Sequence, residues 1–175
     1  MLKKLSLLLG MVVMLFGCAG VNPKDYSDEK PKLDIRKYFN GKVEAWGTFS
    51  DWKGKVIKRF TCEMNGKFSG NKGTLEEKFI YTDGTVQNRK WEITFTDDNH
   101  FTATAGDVIG TGTGEQYGNT VRMSYTLAVP VDGKTYNFAM DDWLFYLGGD
   151  LMMNKAHMSK FGIKVGEVNV SFKKK

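Results

Sequence analysis

From Leu33 onward, apolar and polar residues alternate with a period of two along most of the chain. Successive side chains of an extended strand point to opposite faces, so this rhythm marks half-buried β-strands. Val43, Ala45, Gly47 and Phe49 interleave with Glu44, Trp46 and Thr48. Similar runs cover Val56 to Met64, Leu75 to Tyr81, Val86 to Thr96, Phe101 to Ala105, Val121 to Val129, Tyr136 to Met140 and Ile163 to Phe172. Asn65-Gly66, Asp83-Gly84, Asp97-Asp98-Asn99 and Pro130-Val131-Asp132-Gly133 separate them as turn signals, with Asn65-Gly66 expected as a hairpin turn. The apolar parity changes between Val86 and the set Trp91, Ile93 and Phe95, which predicts a β-bulge near Asn88 to Lys90. One short helix is predicted near the C-terminus, over Asn154 to Phe161. Asn154 would be its N-cap, Met158 and Phe161 its inner face and Gly162 its C-terminal cap.

The pattern is therefore all-β and antiparallel, with roughly 8–10 strands and no βαβ unit, which means a sandwich or an up-and-down barrel. Closing a barrel removes sheet edges, and a small barrel can enclose one ligand. With 4 Trp, 7 Tyr and 12 Phe, the chain can fill or line such an interior.

The first residues follow another pattern. Residues 1–17, MLKKLSLLLGMVVMLFG, set two lysines before a short apolar run. That order is a secretory signal peptide, and the run is too short to span a bilayer. Leu15-Phe16-Gly17-Cys18 resembles the bacterial lipobox, which implies cleavage before Cys18 and lipidation of Cys18. Ala19, rather than aspartate, resembles outer-membrane sorting, with the protein on the periplasmic face. Residues 18–32 are polar with two prolines and are expected as a flexible tether, leaving 33–175 as the barrel domain. The formal charge is +5, or +3 without Lys3 and Lys4, and the cations are scattered among acids. This argues against a nucleic-acid partner. With Cys18 acylated, Cys62 has no disulfide partner. It shares a face with Phe60 and Met64 and reads as a buried thiol.

Candidate chemistry is sparse. His100 and His157 are the only histidines, no Cys/His cluster has metal-ligand spacing, and no G-x-S-x-G elbow occurs. No metal, cofactor or catalytic residue is implied. The glycine-rich GDVIGTGTGEQYGN at 106–119 lacks G-x-G-x-x-G, and Gly133-Lys134-Thr135 lacks the first glycine of a P-loop. Glycines that let strands pack closely explain the first stretch. Asp141 and Asp142 adjoin in a greasy strand, so one of them points inward and needs a partner; Arg89, Arg122, Lys155 and Lys160 are candidates. The pair is either a structural ion pair or a polar anchor at the mouth of an apolar cavity. On the second reading Asp142, Trp143, Arg89, Asn154, Lys155, His157 and Lys160 form the candidate ligand-binding set.

The ordered stretches FNGKVEAWGTFSDWKGKVIKRF, FIYTDGTVQNRKW, DVIGTGTGE with YGN, Tyr125 to Gly133, MDDW and NKAHMSKFGIKVGEV cover most of residues 33–172. They resemble a family of proteobacterial lipoproteins known only as a domain of unknown function. Lys155 departs from the arginine expected after the asparagine. The resemblance implies a lipocalin-like (calycin-like) barrel on a lipid anchor and a lean toward lipid handling, with no catalytic residue to carry over. Three functions follow as expectations. The first is a membrane-anchored periplasmic lipoprotein that binds a fatty acid, lipid or other small apolar ligand inside the barrel. The second is a structural or assembly lipoprotein that works through surface protein contacts, such as Trp46 and Trp52. The third is a lipid-modifying enzyme.

Overall fold

The computed structural model of the protein describes residues 20–175, so the leader and Cys18 lie outside the described residues. Ten strands follow one another: β1 (Gly41–Asp51), β2 (Val56–Ser69), β3 (Lys72–Tyr81), β4 (Val86–Phe95), β5 (His100–Thr104), β6 (Val108–Tyr117), β7 (Thr120–Val131), β8 (Lys134–Gly148), β9 (Leu151–Lys160) and β10 (Ile163–Lys174). Each pairs antiparallel with its sequence neighbours, and β1 pairs with β10 from Val43↔Lys174 to Asp51↔Gly166. The sheet closes on itself as an up-and-down barrel. Of the two architectures open to the alternating pattern, the barrel is the one formed.

The period-two positions point inward as expected. Val43, Ala45, Cys62, Met64, Leu75, Trp91, Ile93, Phe95, Phe101 and Val121 are buried in one core. The glycine-rich stretch becomes β6 and the turns that flank it. At Gly114 a side chain would overlap the ring of Phe101, so glycine there makes room for the neighbouring strand's aromatic ring.

Four local expectations are corrected. Asn154 to Phe161 is not helical: all but Phe161 belong to β9, where Met152, Asn154, Ala156 and Met158 point inward and Met153, Lys155 and His157 outward. Asn65-Gly66 is not a turn but lies mid-strand in β2, whose turn comes at Gly70-Asn71. Gly66 is needed there because a Cβ would overlap the backbone carbonyl of Phe39. No bulge interrupts β4, whose ladder with β3 runs unbroken from Lys72↔Thr94 to Ile80↔Val86. Val86 simply faces solvent, while Gln87 and Arg89 take inward positions.

The fourth concerns the expected tether. Within it, Pro23–Tyr26 forms a 3-10 turn with a reciprocal capping box between Asn22 and Asp25, and Pro23 is buried. The Tyr26 ring meets Trp143 and Phe145 edge-on at 6.3 and 5.9 Å on the outer wall. The chain then turns in toward the end of the barrel where β1 begins. There α1 (Ile35–Tyr38), one turn capped by Asp34, buries Leu33, Ile35, Tyr38 and Phe39 under that end. Lys174 Nζ donates to the carbonyls of Lys37, Tyr38 and Asn40, which ties α1 to the last strand. The opposite end carries the β1–β2, β3–β4, β5–β6, β7–β8 and β9–β10 turns and has no such plug among the described residues.

Candidate functional site

Toward this unplugged end the inner wall changes character. Phe79 and Tyr81 on β3, Gln87 and Arg89 on β4, Tyr125, Leu127 and Val129 on β7, and Phe138 on β8 all have inward parity, yet none is fully buried. These inward side chains pack against the core yet keep some accessible surface, so this end of the barrel opens to solvent. A group of polar side chains forms the floor of this region.

Alternation puts Glu77 on the same face as Leu75 and Phe79, and Arg89 on the same face as Trp91 and Ile93. Arg89↔Glu77 is also a register pair across β3 and β4. Arg89 Nη1 lies 3.5 Å from Glu77 Oε2, while Arg89 Nε and Nη2 donate to Asp107 in the β5–β6 turn at 3.0 and 2.7 Å. Trp91 Nε1 donates to Glu77 at 3.2 Å, and Gln87 links Asp107 to the Tyr81 hydroxyl. The Arg89 guanidinium also stands over the Phe79 and Trp91 rings at 5.4 and 5.5 Å.

Across the lumen, Asp142 points inward from β8. It accepts from the Tyr125 hydroxyl at 3.3 Å and from Asn154 Nδ2, which also donates to the Trp143 carbonyl at 3.0 Å. Tyr125 meets Trp91 edge-on at 5.4 Å, joining the two halves of the floor.

Burial sets the protonation of these groups. It pushes Glu77 up to about 7, although Arg89 and Trp91 pull the other way. It pushes Asp142 up to about 6 against the hydrogen bonds from Asn154 and Tyr125. The Tyr125 hydroxyl is held well above its ordinary value by burial and by Asp142. Burial pulls Arg89 down, but Glu77 and Asp107 outweigh it and keep the guanidinium firmly charged. Cys62 is buried and raised by burial, a thiol without thiolate character, as its sequence context implied.

The candidate set splits by parity. Arg89, Asp142 and Asn154 come together inside. Trp143 on β8 and Lys155 and His157 on β9 are on the outer wall and are corrected out of the luminal site, because strand alternation turns them away from the inward Asp142, Asn154 and Ala156. Trp143 stacks on Phe145 and lies under the Arg122 guanidinium, 5.0 Å from its ring. Arg122 pairs with Asp141 at 2.6 Å, so the outward aspartate takes the outward arginine. His157 and Lys155 face Glu167 on β10, 3.1 and 3.8 Å away. Lys164 and Asn169 hold Glu167 down to about 2. Lys160 lies at the rim, its ammonium 4.4 Å from the centre of the Tyr136 ring. Sequence reasoning missed Glu77, Asp107 and Tyr125. The alternation around Leu75 and around Val121 to Val129 marks Glu77 and Tyr125 as inward, but nothing in GDVIG marks Asp107.

Two grooves mark the outer wall. One of about 830 Å3 crosses β1–β4 among Glu44, Glu63, Glu76 and Lys90 and also reaches Glu77 and Arg89. The other, about 650 Å3, lies among Trp46, Arg59, Ile80, Met153 and Asn169. Among the described residues no His, Cys, Asp and Glu cluster could hold a metal ion, and no helix is long and apolar enough to cross a membrane.

A closed up-and-down barrel with a part-open aromatic lumen over a polar floor defines a lipocalin-like β-barrel protein. The chain belongs to the DUF3833 family of proteins of unknown function, whose model matches residues 12–174. Among solved structures it is similar to the S-type phycobiliprotein lyase CPES from Guillardia theta. The two share 7% sequence identity and a TM-score of 0.59, over 81% of this chain and 90% of that one. No curated protein matches the sequence.

Proposed function

We propose that the protein binds a lipid or other small apolar ligand in its barrel, as a lipoprotein anchored through Cys18 to the periplasmic face of the outer membrane. One observation carries the ligand reading: inward-facing aromatic side chains retain accessible surface above a fixed polar floor. A protein that needed only a stable barrel would gain by packing that space with its own side chains. Apolar lumens with a few convergent polar groups are the usual form of a small-molecule site. The likeness in fold to a phycobiliprotein lyase supports small-molecule chemistry in a barrel of this shape. The anchor rests on LFGC at 15–18 and on the short apolar run before it.

Native mass spectrometry of protein purified from membranes, followed by solvent extraction, tests the ligand. A discrete mass released together with an apolar compound is expected; a ligand-free protein that takes up no amphiphile overturns the reading. Peptide mass spectrometry tests the anchor separately. A mature N-terminus at Cys18 bearing acyl chains is expected, and an unmodified Cys18 within an uncleaved chain would refute it.

A second reading has its own observation. The outer groove with Trp46 47% exposed and Met153 49% exposed offers apolar surface for a protein contact, as a structural or assembly lipoprotein requires. Cross-linking from position 46 in membranes separates the two. One dominant protein adduct together with an empty lumen favours the contact surface.

A further inference from the structure

The lumen floor is unevenly charged. Glu77, Asp107 and Asp142 bring three carboxyl groups together, and Arg89 is the one cation among the described residues within ion-pair distance of any of them. Its guanidinium is already committed, with Nε and Nη2 on Asp107 and Nη1 toward Glu77. A ligand carboxylate placed here would compete with these partners and meet three acidic groups.

Glu77 offers the opposite. Its side chain is only 10% exposed, and its Oε2 takes the Trp91 N–H and faces Arg89. No donor among the described residues reaches Oε1. No side-chain oxygen sealed from solvent lacks a partner, so Oε1 must border accessible space. A carboxylate oxygen without a donor, on an inward-parity side chain nine-tenths enclosed, is an acceptor waiting for a donor. The titratable groups around it are Arg89 on β4, Asp107 in the β5–β6 turn, Tyr125 on β7, Asp142 on β8 and Cys62 on β2.

We propose that the barrel selects an apolar amine: the ammonium head donates to Glu77 Oε1 under the further negative charge of Asp142, and the tail runs past Phe79, Tyr81 and Leu127 toward the unplugged end. This deepens the ligand-binding reading above and rests on it. It also narrows that reading, because fatty carboxylates become poor ligands.

Titration calorimetry of the barrel tests this with three probes of one chain length: dodecylamine, dodecanol and dodecanoate, each kept below micelle-forming concentration. Residues 20–175 suffice for the measurement, since all ten strands and the packed core lie within them. One dodecylamine per chain is expected, bound at least about tenfold more tightly than dodecanoate, the worth of one charge-assisted hydrogen bond. Glu77→Gln should lower amine affinity by a similar factor and leave dodecanol unchanged. Amine affinity should also fall as the pH drops from about 8 to about 5.5, because protonated Glu77 loses its charge. If Glu77→Gln does not fold, the probe ranking and pH profile of the parent decide. Dodecanoate or dodecanol binding as tightly as dodecylamine, or a Glu77→Gln barrel that holds the amine unchanged, overturns the head-group assignment and leaves a ligand-binding barrel standing. Failure of all three probes to bind overturns both.

Discussion

Arg89 is the residue on which the lumen's charge balance turns. Its side chain is 14% exposed and faces carboxylates on two elements. Removing one partner of a buried ion pair leaves the other charge uncompensated and typically costs about 3–5 kcal/mol. Arg89→Met should lose stability on that scale in urea denaturation, and Glu77→Gln in the same chain should restore part of it. A single variant as stable as the parent would mean that water, not Arg89, solvates these acids. The same carboxyls set the pH response. Glu77 and Asp142 titrate near 7 and 6 in the folded protein, against ordinary values of 4.5 and 3.8. Across that interval the folded state holds protons that the unfolded chain has released, so stability is lost as the pH rises through 6 to 7. Glu167 acts the other way. It is held near 2 when folded, so its contribution disappears as the pH falls below 4.5. Melting temperature should therefore climb as the pH drops from about 8 to about 5 and turn over below that, with Glu77→Gln plus Asp142→Asn flattening the upper limb. Equal slopes in parent and double variant would exclude these two groups as the cause. At this scale the sequence made Asp142 legible, because adjacent aspartates in a strand must face opposite ways. It pointed to a cation as the partner, whereas Tyr125 and Asn154 supply neutral donors and Arg122 goes outside to Asp141.

Elements that follow the period of two were readable from residue pattern alone, since burial on one face fixes both strand and parity. Those that failed did so where a polar residue faces inward or where an apolar residue faces out. In β9 the inward set is Met152, Asn154, Ala156 and Met158. Asn154 hides the alternation because its amide is satisfied by Asp142, a contact invisible in sequence. The pair Asn65-Gly66 looks like a turn, but its glycine answers a neighbour 27 residues upstream, the Phe39 carbonyl. Gly66→Ala should therefore destabilise by about 1–3 kcal/mol, the range for overpacking, in chemical denaturation. A neutral result would mean that residue 39 can retreat freely. The segment before the barrel misled differently. Its prolines and charges read as linker, yet Tyr26 finds two aromatic partners on the outer wall. Each such pair contributes about 0.5–1.5 kcal/mol beyond burial. Tyr26→Ala should lower the unfolding midpoint and speed proteolysis near residues 22–27, while unchanged protection there would show that the segment does not dock in solution.

The whole molecule depends on closure. Every strand finds both partners because β10 returns to β1, and nine register pairs from Val43↔Lys174 to Asp51↔Gly166 make that seam. Without the seam, β1 and β10 would each expose a row of unpaired backbone groups, the template on which sheets aggregate. The seam also brings Val168, Val170 and Phe172 to the core, and through Lys174 it secures the α1 plug. Closure therefore serves three ends at once: it satisfies backbone polar groups, completes the apolar wall and seals one end so that the lumen opens only at the other. Deleting residues 163–175 should remove all three together and yield aggregated chains in size-exclusion chromatography, not a looser monomer. Deleting residues 20–27 removes the docked Pro23 and Tyr26 but no ladder, and should give a soluble barrel with a lower melting temperature. If both deletions gave soluble monomers with similar melts, the seam would be one contact among many, and an open sheet would hold the lumen as well as a closed one. The contrast between the two deletions distinguishes loss of a docked terminal segment from loss of closure, which neither deletion could do alone.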